Sequence, residues 1–230
     1  MAKTIVVVGY GPGISSAVAQ KFGAEGFAVA LVARNAQKLA DGVAALTAKG
    51  IKAAAFPADA SDPVSIRAAL GKVRAGLGPI TALHWNAFDG AIAGDLMSSD
   101  AVMLRATFDI AVVGLLAAVQ DALPDLEAAK DGAVLITNGA FGENNPQIDA
   151  MAVGMKVMGL ALANAAKHKL AGMLSAALKP KGVYVGEVMV AGLVKGSASD
   201  NGGATISADT IAEAFWNLYR ARDDIHARVS

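Results

Sequence analysis

The chain has 230 residues, 54% of them hydrophobic and 17% charged, which is the length of one α/β domain with ample material for a core. Twenty basic and twenty acidic residues balance, so the electrostatic footprint of a nucleic-acid or acidic-membrane binder is missing and neither partner is expected. Cysteine is absent, which excludes disulfides, a thiolate nucleophile and thiolate metal ligands; His84, His168 and His226 are widely separated, so no metal centre is expected.

The opening MAKTIVVVGYG lacks the long apolar region of a signal peptide and runs at once into a strand. Ile5 to Val8 are four β-branched residues without a charge, the pattern of a strand buried on both faces. Gly9, Gly11 and Gly13 follow, and Ala17-Val18-Ala19 opens an amphipathic helix. A strand that turns through glycines into a helix N-terminus can seat a phosphate. Without Cβ atoms the backbone comes close, and the first helical N–H groups favour negative charge.

The helix runs to Glu25-Gly26, and Phe27 to Ala33 reads as a second strand. Asn35 caps a helix to about Lys49, and Ile51 to Phe56 is a third strand, ended by Pro57. Asp62-Pro63 is an N-cap followed by proline, a start signal for a helix over Val64 to Leu77. Ile80 to Trp85 is strand four. A loop with Asp89-Gly90 and Gly94-Asp95 precedes a long helical pattern, Asp100 to Ala129, with a break expected near Pro124. Strand five is Ala133 to Thr137. The loop GAFGENNPQ leads to a helical stretch ending at Pro180, helix-compatible throughout from Ala150 to Leu178. Strand six is Val183 to Val190, Ser197 to Thr205 a polar loop, and Ser207 starts an amphipathic helix with Ile211, Phe215, Leu218 and Tyr219 on one face.

Alternating strands and helices predict a doubly wound parallel sheet, a Rossmann-type α/β fold in a single domain spanning residues 1–230. The longest uncharged apolar runs, Ile110 to Val119 and Val157 to Ala166, are ten residues each, short of the ~20 that span a bilayer. A soluble, cytoplasmic protein is expected.

Several motifs then fall in order. Gly9-Tyr10-Gly11-Pro12-Gly13-Ile14-Ser15 follows strand one, with Ser15 where a third glycine would stand. Asp59-Ala60 follows strand three, and Trp85-Asn86-Ala87 ends strand four, with Phe88 in place of a glycine. Gly182-Val183 leads into strand six and Ala191-Gly192 leaves it. Over essentially the whole chain this resembles the short-chain dehydrogenase/reductase family. The resemblance implies a dinucleotide held by Gly9, Gly11, Pro12, Gly13 and Ile14, by Asp59 and Ala60 beside adenine, and by Asn86 and Ala87. It also implies a dimer or tetramer through the two long apolar helices, whose uncharged runs must be buried against something.

The choice of dinucleotide has a physical handle. NAD-binding folds place an acid about 20 residues past the loop to grip the ribose 2′-OH. Residues 26 to 37 hold no acid, and Arg34 stands at the end of strand two, able to pair with a 2′-phosphate. NADP is favoured over NAD; the alternative is that Arg34 is a solvated strand-end residue.

In the resembled family a Tyr, three residues, Lys motif, an upstream Ser and an Asn of the fourth helix carry proton transfer. Counting from strand five puts Gly139 at the serine position, Ala152 at the tyrosine and Lys156 at the lysine; Ala111 takes the Asn position. None of the three tyrosines, Tyr10, Tyr184 and Tyr219, lies four residues before a lysine. From Lys156 to Gly182 is 26 residues, about two helical turns more than the family usually has. Counting back from Gly182 lands near Asn164 instead, and periodicity does not choose. Lys156 is preferred, as a catalytic and cofactor-binding residue. Glu143, Asn144, Asn145 and Asp149 are polar candidates after strand five, with turn and cap roles as the simpler reading, and Lys167 and Lys169 read as a solvated helical face. Two functions stay open: an NADP(H)-dependent oxidoreductase of a small carbonyl or alcohol with unusual proton donation, or a non-catalytic dinucleotide-binding sensor or oligomer partner.

Overall fold

The uncharged run after Lys3 becomes β1 (Lys3–Val8), buried from Thr4 to Val8 at the centre of the sheet. The computed structural model describes residues 3–88, 94–197, 200 and 202–230. Asp89-Gly90 of the expected loop, and positions 198, 199 and 201 of the polar loop, lie outside them. β2 (Phe27–Ala33), β3 (Ala53–Pro57), β4 (Ala82–Trp85), β5 (Ala133–Gly139), β6 (Tyr184–Val190) and β7 (His226–Val229) complete one parallel sheet, ordered β3-β2-β1-β4-β5-β6-β7.

Parallel strands need crossovers, and the helices supply them on both faces. α1 (Ile14–Ala24), α2 (Ala36–Thr47) and α8 (Ala208–Ala221) cover one face, where Phe22, Leu39, Ile211 and Phe215 are buried. α3 (Pro63–Leu77), α5 (Leu115–Ala128) and α7 (Met158–Leu178) cover the other, with Ile66, Leu70, Leu115, Leu126, Leu170 and Leu174 in its core. The expected doubly wound, single-domain α/β fold is present. β1 lies between β2 and β4, so the chain reverses its winding direction there and leaves a crevice at the strands' carboxyl ends.

Three expectations change. The long helix does not break at Pro124, which sits exposed inside α5. α4 (Ala101–Phe108) passes into α5 through a π-helical segment, Asp109–Gly114. The segment lets Gly114 press against the carbonyl of Ala60, a contact that a Cβ would forbid. The resulting 28-residue helix, Ala101–Ala128, is apolar and long enough to cross a bilayer by composition. Its inner face packs on the sheet, and Arg74 of α3 bonds Asp125 at 2.6 Å and Asp121 at 2.7 Å.

Next, the stretch from Ala150 to Leu178 is not one helix. α6 (Pro146–Gly154) ends at a turn in which Lys156 has φ +54°, and α7 starts anew at Met158, whose N–H bonds Gly94 O at 3.0 Å. A left-handed lysine is costly and persists only when its surroundings hold it. Last, β7 carries too short and polar a sequence to have been read as a strand; its pairing with β6 creates it. Strand ends also shift by a few residues: Ile51 N–H bonds back to Leu46 O and closes α2 instead of opening β3.

Candidate active site

The crevice begins at the β1–α1 turn. Gly9 has φ +83°, and a Cβ there would collide with the backbone of Asn86 and Ala87. The strand-one loop therefore touches the end of β4 directly, and Asn86 Nδ2 donates to Gly9 O at 3.3 Å. Gly13 has φ +88°, caps α1 without any side-chain hydrogen bond, and lies under Ser197. Ser15 replaces the third glycine and ties the turn, accepting from Gly11 N–H at 2.9 Å and donating to Gly11 O at 3.0 Å. A Cβ on Gly11 would meet nothing within 4 Å. These features fit a dinucleotide: close backbone, an uncapped helix start and open space above Gly11 and the exposed Pro12.

The neighbouring strand ends carry the other expected groups. Arg34 is exposed at the end of β2. Asp59 accepts from Ser61 N–H at 2.9 Å and Ser61 Oγ at 2.7 Å, and these bonds, with the charge of Arg34 adding, hold its carboxyl below the usual range. Ala60 meets Gly114, and Ala87 is buried against Gly9. Ala111 is buried in the π-helical segment.

Beyond Asn86 the crevice opens into a cavity of about 620 Å³. Ile14 and Asn86 line it from the dinucleotide side, Thr137, Asn138 and Gly139 from β5, and Ala191 and Gly192 from the end of β6. Apolar walls come from Phe141, Ile148, Met151 and Leu193. From α7 it receives Leu160, Asn164 and Lys167, which stand at i, i+4 and i+7 on one helix face. Ala152 and Lys156 are not among its lining residues. Ala152 is buried on α6, and Lys156 is exposed in the α6–α7 turn. The count from strand five that prefers Lys156 thus leads to an exposed turn residue, whereas Asn164, reached by counting back from Gly182, lines the cavity. Asn145 caps α6 through Gln147 N–H at 2.9 Å and Glu143 pairs with Arg228, so the polar loop residues serve as caps and ties.

The least expected feature lies at the floor. Lys167 is 7% exposed, not solvated, and its Nζ donates to Thr137 O at 3.1 Å. Glu187 of β6 is fully buried. One of its oxygens accepts from Asn138 Nδ2 at 2.6 Å, and the other faces His168 Nδ1 at 2.7 Å and His226 Nδ1 at 2.8 Å. Two histidines that are distant in sequence thus meet on one carboxylate, a donor set within 4.8 Å that could hold a metal ion. At these lengths it is a hydrogen-bonded cluster around a buried charge. Sequence reasoning missed it because Glu187 reads as one acid inside an apolar strand; a buried carboxylate needs partners, and that is the signal available. His84 is separate: fully buried, 3.0 Å from Thr137 Oγ1, with burial pulling its imidazole down to about 3.

The model of the short chain dehydrogenase family matches residues 3–198, and the chain belongs to that family. Among curated proteins it is similar to a meso-2,3-butanediol dehydrogenase of Serratia marcescens, 32% identical over 140 residues, 61% of this chain and 54% of that protein, so the match spans about half the relative's length. Among solved structures it is similar to a short chain dehydrogenase of Burkholderia cenocepacia J2315 in complex with NADP, at TM-score 0.88 and 24% identity over 100% of this chain and 97% of that one. It is also similar to an NADPH-bound short chain oxidoreductase of Pseudomonas aeruginosa PAO1 described as containing an atypical catalytic center, at TM-score 0.86 and 22% identity over 99% and 95%.

Proposed function

We propose that this protein is an NADP(H)-dependent oxidoreductase of a small, largely apolar carbonyl or alcohol, with proton donation that departs from the family's usual side chains. The observation that carries the reading is continuity. The glycine turn and the cavity are one groove, with Ile14 and Asn86 in both. In this reading Gly9, Gly11, Pro12, Gly13 and Ile14 hold the pyrophosphate, Asp59 and Ala60 face adenine, and Arg34 meets the 2′-phosphate. Asn86, Ala87, Ala191 and Gly192 flank the nicotinamide. Bound there, the dinucleotide supplies the hydride. Proximity in a preformed cavity would supply much of the acceleration, while Ile148, Leu160 and Leu193 select apolar guests.

Counting back from Gly182 now has support, since Leu160 and Asn164 would take the tyrosine and lysine positions and both line the cavity. The named likeness to a structure with an atypical catalytic center is consistent with that. With Gly139 at the serine position, the usual proton donor is missing. That absence favours a second reading, a non-catalytic dinucleotide-binding protein.

The experiment is paired: melting shifts with NADPH and NADH, then NADPH oxidation against small ketones, including the oxidised forms of 2,3-butanediol. Ligand at 100 times its Kd adds about 2.7 kcal/mol to stability. Arg34→Ala should weaken NADPH about tenfold or more and leave NADH nearly unchanged, because only the 2′-phosphate uses the guanidinium. Equal weakening overturns the choice of NADP. A cofactor shift without turnover favours the second reading, and no shift with either dinucleotide overturns both.

We propose further that two copies or more assemble through the apolar helices. Val113 and Leu116 on one, and Leu162 and Met173 on the other, remain 36–53% exposed. A monomer by light scattering at micromolar concentration overturns this. A cytoplasmic setting agrees with the absence of cysteine.

A further inference from the structure

The floor of the cavity holds an ammonium that stands outside the family's Tyr, three residues, Lys motif, since Ala163 lies four residues before it. Lys167 stands three residues past Asn164 and seven past Leu160, on the α7 face turned to the cavity. Among the described residues its Nζ makes one hydrogen bond, to Thr137 O, and an ammonium has three N–H groups. Thr137, the residue that receives that bond, itself lines the cavity, as do Asn86 and Asn138 beside it. A buried cation with unspent donors is costly unless something else comes to accept from them.

The electrostatics point the same way. Burial pulls the Lys167 ammonium down to about 8, and the carboxylate of Glu187 on β6 acts in the opposite direction. Of the other elements packed on α7, the π-helical segment brings Asp109, α4 Arg105, α6 Asp149, and the turn after α7 Lys179 and Lys181; His168 and Lys169 lie on α7 itself. Arg228 lines the same cavity but pairs with Glu143. Among the described residues, Glu187 is the one whose charge bears on Lys167.

We propose that Lys167 is the proton donor of this site, its Nζ contacting the carbonyl oxygen of the substrate from the cavity floor. The inference rests on the oxidoreductase reading above. In the reducing direction the carbonyl carbon accepts hydride from the reduced nicotinamide, the C=O π pair moves to oxygen, and that oxygen takes a proton from the Lys167 ammonium. The products are the alcohol, the oxidised nicotinamide and a neutral amine, which water reprotonates. In the oxidising direction the amine accepts the alcohol's proton as hydride leaves. A donor that titrates near the working pH suits both directions.

The test uses Lys167→Met and Lys167→Arg. First, without cofactor, NMR of protein carrying 13Cε-labelled lysine should show one resonance that titrates near pH 8 and is missing from Lys167→Met. If no such resonance titrates more than one unit below 10, the proposal is overturned. Second, wild-type kcat for ketone reduction should fall as pH rises through about 8, because the protonated form is the reactant. Both variants should lose about 100-fold or more in kcat, keep the NADPH melting shift, and lack that alkaline limb. Lys167→Arg keeps the charge and the bond to Thr137, so it decides the matter should the methionine variant fail to fold. Variants that keep wild-type kcat and the same limb overturn the role of Lys167 and leave the oxidoreductase reading standing. A wild type that binds NADPH but turns nothing over overturns both.

Discussion

The β1–α1 turn and the β5–α7 wall face each other across one groove and are built in different ways. At the turn, each required property belongs to a short run of chain. Gly9 must approach the end of β4, Gly13 must take a positive φ, and Ser15 bonds Gly11 four residues away. At the wall, the important groups arrive from separate elements: Lys167 from α7, Thr137 and Asn138 from β5, Glu187 from β6 and His226 from β7. The first region is set by backbone geometry that few residues satisfy. The second is set by the burial of charges, which many arrangements of sequence could produce.

The contrast can be broken first at Gly9. Gly9→Val forces a β-branched residue to φ +83° and drives its Cβ into the backbone of Ala87, which has no rotamer to yield. A loss of roughly 3 kcal/mol or more is expected, read as a fall in Tm of about 6–12 °C at this size. A variant as stable as wild type would show that the close approach is not a constraint.

Acid probes a third place, the opposite face of the sheet, where His84 of β4 packs on Phe215 of α8. His84 is neutral in the fold, with its imidazole lowered to about 3, whereas in the unfolded chain it titrates near 6.5. Between those values the unfolded state binds more protons. Stability should therefore fall as pH drops below about 6.5, by up to ~1.4 kcal/mol per pH unit from this residue alone. Urea unfolding from pH 7 to 4.5 checks it, since His84→Phe should lose that share of the slope. A His84 ring proton that titrates near 6.5 by NMR would contradict the burial.

The smallest expected effect on stability separates seat from scaffold. Gly11→Ala should leave unfolding within about 0.5 kcal/mol of wild type, because its new methyl meets no atom within 4 Å. If that space takes the pyrophosphate, the same methyl should weaken NADPH at least tenfold, about 1.4 kcal/mol. Unchanged affinity would move the dinucleotide away from this loop.

Most of the frame was legible because it depends on local rules. Apolar runs of strand length, Asn35 and Asp62 as caps, and the amphipathic spacing of Ile211, Phe215, Leu218 and Tyr219 each predicted its element, and each side chain took its expected part. The misreadings share a cause. The apolar spacing runs on through Lys156 without a proline or a cap, so periodicity could not anticipate that the bond from Met158 to Gly94 would accompany a new helix there. Pro124 carries a local stop signal that the packing of α5 overrides. β7 exists only because β6 offers an edge.

The sequence by itself determined the parallel α/β frame, the glycine turn and its family resemblance, because these follow from residue periodicity and from backbone conformations only certain residues adopt. Tertiary structure alone decided which polar side chains meet. It withdrew Lys156 to the surface, brought His168 and His226 onto Glu187, and put Lys167 in the cavity floor. The physical reason is that burial and charge pairing act through space, between residues whose separation along the chain carries no mark of their contact.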